Sequence, residues 1–216
     1  LLYALIPTNP ENSKINAKKK IMPGKNTAIT KDGTRIYSAF SGILQWRNNF
    51  INVLPLIEIN SDLSVEYGTG NIIFDGSIIV LGAIDNGVIV DVTGDIYALK
   101  IFDAEIKCGG NIYVRDGIFD IHNGHIKCSG NIKTNKIIDS NNIEANGLII
   151  VEDTIRNSKI KTESSVIVTG PGDRTIIRSE IFAREMVMAN IIGSKRETIY
   201  TLETGFDESK FKEFLE

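Results

Sequence analysis

The chain has 216 residues, 42% of them hydrophobic, which allows one large domain or two small ones with a well-buried interior. Its 24 lysines and arginines stand against 27 acidic residues, a net charge of −3, so no overall positive field holds a phosphate backbone and nucleic acid is not an expected partner. Two cysteines make no disulfide framework, and the longest apolar runs, such as residues 148–151, fall far short of the roughly 18 residues that span a bilayer.

A soluble, cytosolic protein with no membrane span is therefore expected. Residues 1–6 are too short for a secretory signal and lack a basic start. The chain opens without Met and stops inside a helical pattern, so a fragment of a longer protein is expected. The one basic run, Lys18, Lys19 and Lys20, reads as a solvated loop or strand edge.

In chain order, residues 1–65 read as a small β domain. Lys31, Asp32, Gly33 and Thr34 suit a hairpin turn between strand-like residues 27–30 and 35–40, followed by strand-like residues 43–47 and 50–53. Its expected role is to cover the first coil of the repeat region that begins at residue 66, since an open solenoid end exposes unpaired backbone groups and an apolar cross-section.

From residue 66 to 205 one phrase recurs. A small residue and a glycine are flanked by apolar positions two apart, with the glycine position at Gly70, Gly94, Gly110, Gly130, Gly147, Ser164 and Glu185. Repeats of this size signal a solenoid. Two residues later stand Ile72, Ile96, Ile112, Ile132, Ile149, Val166 and Val187; four residues earlier stand Val90, Ile106, Ile126, Ile143, Ile160 and Ile181. β-Branched residues at period two are strand residues with one buried face, and the glycines, often followed by Asn or Asp, mark corners. Each phrase is read as two short strands joined at a corner. Because the same inward order recurs in the same chain direction, parallel stacking is favoured over a meander of hairpins.

After residue 206, Phe211, Phe214 and Leu215 fall at helical spacing behind a capping Asp207. The predicted fold is thus all-β: a parallel, right-handed β-helix of about seven coils, with a small N-terminal β domain (1–65) and a short C-terminal helix (206–216).

Cys108, Cys128, His122 and His125 are the one set with zinc-ligand chemistry. Strand parity separates them: Ile126 and Cys128 face inward together while His125 faces out. The cysteines share a column with Val92, Ala145, Thr162 and Ala183, so they are read as buried small residues. A disulfide between neighbouring coils suits parallel side-chain vectors poorly. Residues 169–174 are glycine-rich but lack the Lys-Ser/Thr end of a phosphate loop. Asp103, Asp116 and Asp120 are not brought to one face. No catalytic, cofactor-binding or metal residue is predicted, and no cofactor.

The binding signal lies one residue past the core column, at Ile73, Tyr97, Tyr113, Lys133, Ile150, Ile167 and Met188. Parity points these outward, yet all but Lys133 are apolar or aromatic, where a solvated strand face would turn polar. This column is expected to be a protein-contact ridge with Tyr97 and Tyr113 as anchors.

The order of short motifs resembles the bacterial flagellar assembly protein A family. The motifs are Thr69-Gly70-Asn71-Ile72-Ile73-Phe74-Asp75-Gly76, Gly94-Asp95-Ile96, Ala145-Asn146-Gly147-Leu148-Ile149 and Ile192-Gly193-Ser194, with Gly24-Lys25-Asn26, Asp32-Gly33 and Val53-Leu54-Pro55 ahead of them. The resemblance implies a non-enzymatic cytoplasmic protein linked to flagellum assembly and positioning, with protein partners among flagellar or cell-pole components. Ser164 and Glu185 depart from the glycine pattern, which predicts wider or irregular last coils. A homo-oligomer is expected.

Two alternatives remain from the residues. One is a self-polymerising cytoskeletal β-helix like the bactofilins. The other is a hexapeptide-repeat acyltransferase, suggested by apolar residues six apart (Ile106, Ile112, Ile118; Ile126, Ile132, Ile138; Ile143, Ile149, Ile155) but opposed by unequal coil lengths and by Lys107, Lys127, Glu144 and Lys161, where that repeat wants a small residue.

Overall fold

The computed structural model describes residues 21–39, 42–66, 70–169, 175–193 and 201–205. The residues fall into two units. In the first, Thr27–Ile29 pairs antiparallel with Ile36–Ser38. The turn between them is closed by the Thr30 amide donating to the Arg35 carbonyl (2.8 Å), with Gly33 at φ +70°. Asp32 organises this turn: its carboxylate accepts from the Thr34 amide and hydroxyl and from the Thr30 hydroxyl. A second small sheet orders Met22–Pro23, Phe50–Leu54 and Ile43–Arg47.

The second unit is a parallel β-solenoid of about seven turns. One sheet stacks eight short strands, from Ile72–Phe74 and Ile89–Val92 through Glu105–Cys108, His125–Cys128, Ile143–Ala145, Lys159–Thr162 and Glu180–Ala183 to Thr201–Thr204. The other carries the longer strands, including Ser77–Ile84, Ile96–Ile101, Ile112–Phe119, Ile132–Ile138 and Ile149–Arg156. It begins with Leu56–Ile59, which pairs parallel with Ser77–Ile84, so solenoid pairing starts ahead of residue 66. Residues 206–216, where a terminal helix is expected, lie outside the described residues.

Each coil has three faces rather than two strands and one corner. The long strands change register midway, between Ala98 and Lys100 and again between Thr134 and Lys136. Ile149–Arg156 pairs with two separate strands, Ser165–Val168 and Thr175–Ile177. The third face contributes its own inward column, Ile84, Ile101, Ile118, Ile137, Ile155 and Ile176, all fully buried. Sequence period alone hides this bend, because a bulge adds a residue without changing residue type. In one coil it also breaks the six-apart series: Ile118 and Ile155 are buried as the series expects, but Ile137 takes that place in the coil between them, while Ile138 stacks beside Phe119 on the outside.

The corner glycines are required by close approach. The amides of Gly94, Gly110, Gly130 and Gly147 each donate to the carbonyl of the glycine one coil earlier (2.7 to 2.9 Å), and a Cβ on Gly130 would stand 2.6 Å from the Gly110 carbonyl oxygen. That ladder starts at Gly76, not at Gly70 as the repeat alignment expects. Ile78 pairs with Ile96, whereas Ile72 pairs with Val90 in the other sheet. Beside the glycines runs a side-chain ladder in which Asp95, Asn111 and Asn131 accept from the amides of Asn111, Asn131 and Leu148.

Where the column changes to Ser164 and Glu185, stacking stays regular. The Glu185 amide donates to the Ser164 carbonyl (2.9 Å), and the Glu185 carboxylate accepts from the hydroxyls of Ser164 and Ser165. The expected irregularity instead sits after Val168, where the second and third faces separate into two strands.

A further ladder lies at the turn leaving the third face. Asp120, Asp139, Asn157 and Arg178 all adopt positive φ (48° to 57°). After the last three come Ser140, Ser158 and Ser179, all buried, with Ile121 in the same place one coil earlier. Each serine hydroxyl donates to a carbonyl two residues back, and the hydroxyls of Ser140, Ser158 and Ser179 accept from the amides of Ile121, Ser140 and Ser158. Buried amides without a ladder partner on this turn are thereby satisfied.

Candidate protein-contact surface

The second face carries the outward column. Successive register pairs place Ile79, Tyr97, Tyr113, Lys133, Ile150, Ile167 and Met188 one above another, with Glu58 preceding Ile79. Six of the seven sequence-predicted residues therefore line up. Ile73 does not: it sits on the first face beside Asp91 and is 84% exposed. The misplaced first anchor explains the error, since Ile79 holds to Gly76 the relation that Tyr97 holds to Gly94.

Tyr97 and Tyr113 stack with ring centroids 4.8 Å apart and planes 12° from parallel, the offset-tolerant geometry that aromatic pairs favour. Burial, with the nearby Asp95 charge, raises both phenols further above their usual range, so they stay neutral donors. A second outward line on the same face holds Leu81, Leu99, Arg115, Asn135 and Glu152. Between the two lines lies an open groove of about 380 Å³ that is apolar along Ile79, Leu81, Tyr97, Leu99 and Tyr113. Its far end is charged: Lys133 Nζ is 2.9 Å from Glu152 Oε1, and Arg115 Nε donates to Asp116 Oδ1 at 2.8 Å. Ile79, Leu81 and Leu99 do not stand out in the sequence pattern. The 18-residue step from Gly76 to Gly94 is the signal that would find Ile79.

The first face is different in kind. Its outward residues include ion pairs between neighbouring coils, Asp91 with Lys107, Lys159 with Glu180 and Glu163 with Arg184, beside the outward apolar residues Ile73, Ile89 and Phe182. Such pairs are well solvated and each contributes little.

The remaining candidates take structural positions. Cys108 and Cys128 are register partners, buried as free thiols; Cys108 Sγ–H donates to the Gly94 carbonyl and Cys128 Sγ–H to the Gly110 carbonyl, both at 3.2 Å. The adjacent Cys128 sulfur and then burial push the Cys108 thiol well up. His125 pairs with Glu105 on the opposite side of the strand, its Nε2 3.8 Å from Glu144 Oε2. Among the described residues no His, Cys, Asp or Glu cluster is arranged to hold a metal. Asp103 caps a turn, accepting from the amides of His122, Asn123 and Gly124 (2.7 to 2.8 Å). Burial opposes its ionisation, but these bonds outweigh it and hold the carboxyl at about 2. Asp116 is engaged by Arg115, and Asp120 occupies the positive-φ turn, so the three carboxylates do not converge.

A family model, the Flagellar Assembly Protein A beta solenoid domain, matches residues 55–216. The chain belongs to the flagellar assembly protein A family. The match opens one residue before Leu56–Ile59, the first strand of the parallel stack. No curated protein and no solved structure matches the chain. No helix among the described residues is long and apolar enough to cross a membrane.

Proposed function

We propose that this member of the flagellar assembly protein A family is a non-enzymatic scaffold or localisation protein, working in the cytoplasm and at the cell pole through protein contacts. The observation that carries the reading is the second-face column, where six of seven stacked outward residues are apolar or aromatic on a strand face that solvent would keep polar. Membership in a flagellar assembly family supports a role in building or placing the flagellum. The test is a cell lacking the native protein that is complemented with a full-length copy carrying Tyr97→Asp and Tyr113→Asp. Flagellum number or position should fail to recover although the protein accumulates normally; full recovery would sink the reading.

One observation favours a second reading, a self-polymerising filament. In the last described coil Ile192, the register partner of the buried inward residue Ile176, is 43% exposed, an apolar position that a further coil would cover. Filaments pelleting from purified protein would support it, and a discrete small oligomer would exclude it.

A further inference from the structure

The three inward columns of the solenoid all end on residues that their own coil leaves partly open. On the second face Val187 follows the buried Val166, on the third Ile192 follows Ile176, and on the first Leu202 follows Ile181. The three earlier residues are each 0% exposed, whereas Ile192 is 43% exposed and Val187 and Leu202 are only half-buried. The end of the described stack is therefore an apolar cross-section with one open aliphatic side chain on each face, a surface that water penalises and that a solenoid must cover.

The chain itself arrives at the rim of that cross-section. Thr201–Thr204 is the outermost strand of the first sheet, and Gly205, whose amide still reaches the Ala183 carbonyl at 3.4 Å, turns the backbone with φ +90°. The sequence that follows is Phe206-Asp207-Glu208-Ser209-Lys210-Phe211-Lys212-Glu213-Phe214-Leu215-Glu216. Its pattern predicts a helix from residue 208: Asp207 suits the N-cap, Phe206 and Phe211 hold the positions of a hydrophobic staple, and Phe211, Phe214 and Leu215 fall on one side with Ser209 and Glu213 opposite. Such a helix is about 14 Å long, close to the roughly 13 Å of a strand the length of Thr201–Thr204, so its apolar side is long enough to cross a face.

We infer that residues 206–216 lie over the open end of the last coil, with Phe211, Phe214 and Leu215 against Val187, Ile192 and Leu202. The tether favours this occupant over a second solenoid, because a segment that begins at the rim meets the end at an effective concentration of roughly millimolar, whatever the concentration of the protein. A helix this short is marginal alone, so the cover is reversible and leaves the last coil more open than the middle of the stack. It is an autoinhibitory contact: in place, it keeps the apolar end from stacking on another copy; displaced, it exposes that end. Nothing in this contact depends on the second-face ridge.

The test is thiol labelling of the full chain carrying Ile192→Cys, since Cys108 and Cys128 are buried. Adding Phe211→Asp with Phe214→Asp should raise the labelling rate at that position about tenfold or more at unchanged circular dichroism, while Ser209→Asp, on the opposite side of the predicted helix, should leave it unchanged. Where Ile192→Cys itself weakens the last coil, Leu202→Cys reads the same cover from the first face. With Ile192 and Leu202 intact, the Phe211→Asp, Phe214→Asp chain should show association by sedimentation velocity that the unaltered chain lacks at the same concentration. Equal labelling of all three chains would overturn the inference. So would labelling that slows as the concentration of the otherwise unaltered chain rises, which would make a second solenoid the occupant. Faster labelling without any gain in association would remove the autoinhibitory role.

Discussion

The serine hydroxyls at the turn between coils each do two jobs, accepting from the amide of the preceding coil and donating to a carbonyl of their own. Ser158→Ala leaves the buried Ser140 amide without its acceptor and should lower unfolding free energy by about 1–3 kcal/mol in urea melts, the usual cost of an orphaned buried donor. The thiols of Cys108 and Cys128 are buried, and Cys108 is held protonated by its partner thiol and by burial. Neither should react with an added thiol reagent at neutral pH until the protein is unfolded, when both are titrated. Acid sensitivity has its source in Asp103 and Asp32. Both carboxyls are held at about 2, from an ordinary 3.8, by hydrogen bonds to the charged form. A depressed folded-state value contributes stability above about pH 4 and loses it as pH falls from about 4 to 2. Urea melts over that range should show the loss, and Asp103→Asn should show less of it.

At the scale of the element, the coil corner tolerates no side chain. The Cβ of Gly130→Ala would meet backbone, the Gly110 carbonyl oxygen, which cannot swing aside as a side chain would. Destabilisation of at least about 1–3 kcal/mol is expected, the range for overpacking in a tight interior. A thermal melt showing no change would refute close approach as the reason for the glycine column. The register shifts within the long strands are the other element-level device, since they bend each strand into two faces without a turn and let one coil close around the isoleucine columns.

For the whole molecule, stability is a sum over neighbouring coils, so position along the stack decides what a core substitution costs. Ile132 is fully buried between coils, whereas Ile192, in the last described coil, is 43% exposed. Ile132→Ala should cost about 2–5 kcal/mol, and Ile192→Ala clearly less, by the same urea melt. Equal costs would mean that the last coil is as enclosed as the middle.

Two things are legible in the residues themselves: the inward columns and the outward line from Tyr97 to Met188. Both depend only on the period-two alternation of a strand, and β-branched residues repeated at one phase declare which side is buried. The cysteines at Cys108 and Cys128 resolve the same way, as two visits to one inward position. Three things need the folded chain. A bulge shifts phase without a change of residue type, so the third face is invisible in the sequence and the six-apart series selects Ile138 in place of Ile137. Gly70 and Gly76 are both glycines before an apolar triplet, and only the pairing of Ile78 with Ile96 shows which begins the ladder. Last, the groove beside Tyr97 and Tyr113 is built from Leu81 and Leu99 of separate coils, and residues that meet only by stacking acquire a common surface only in three dimensions.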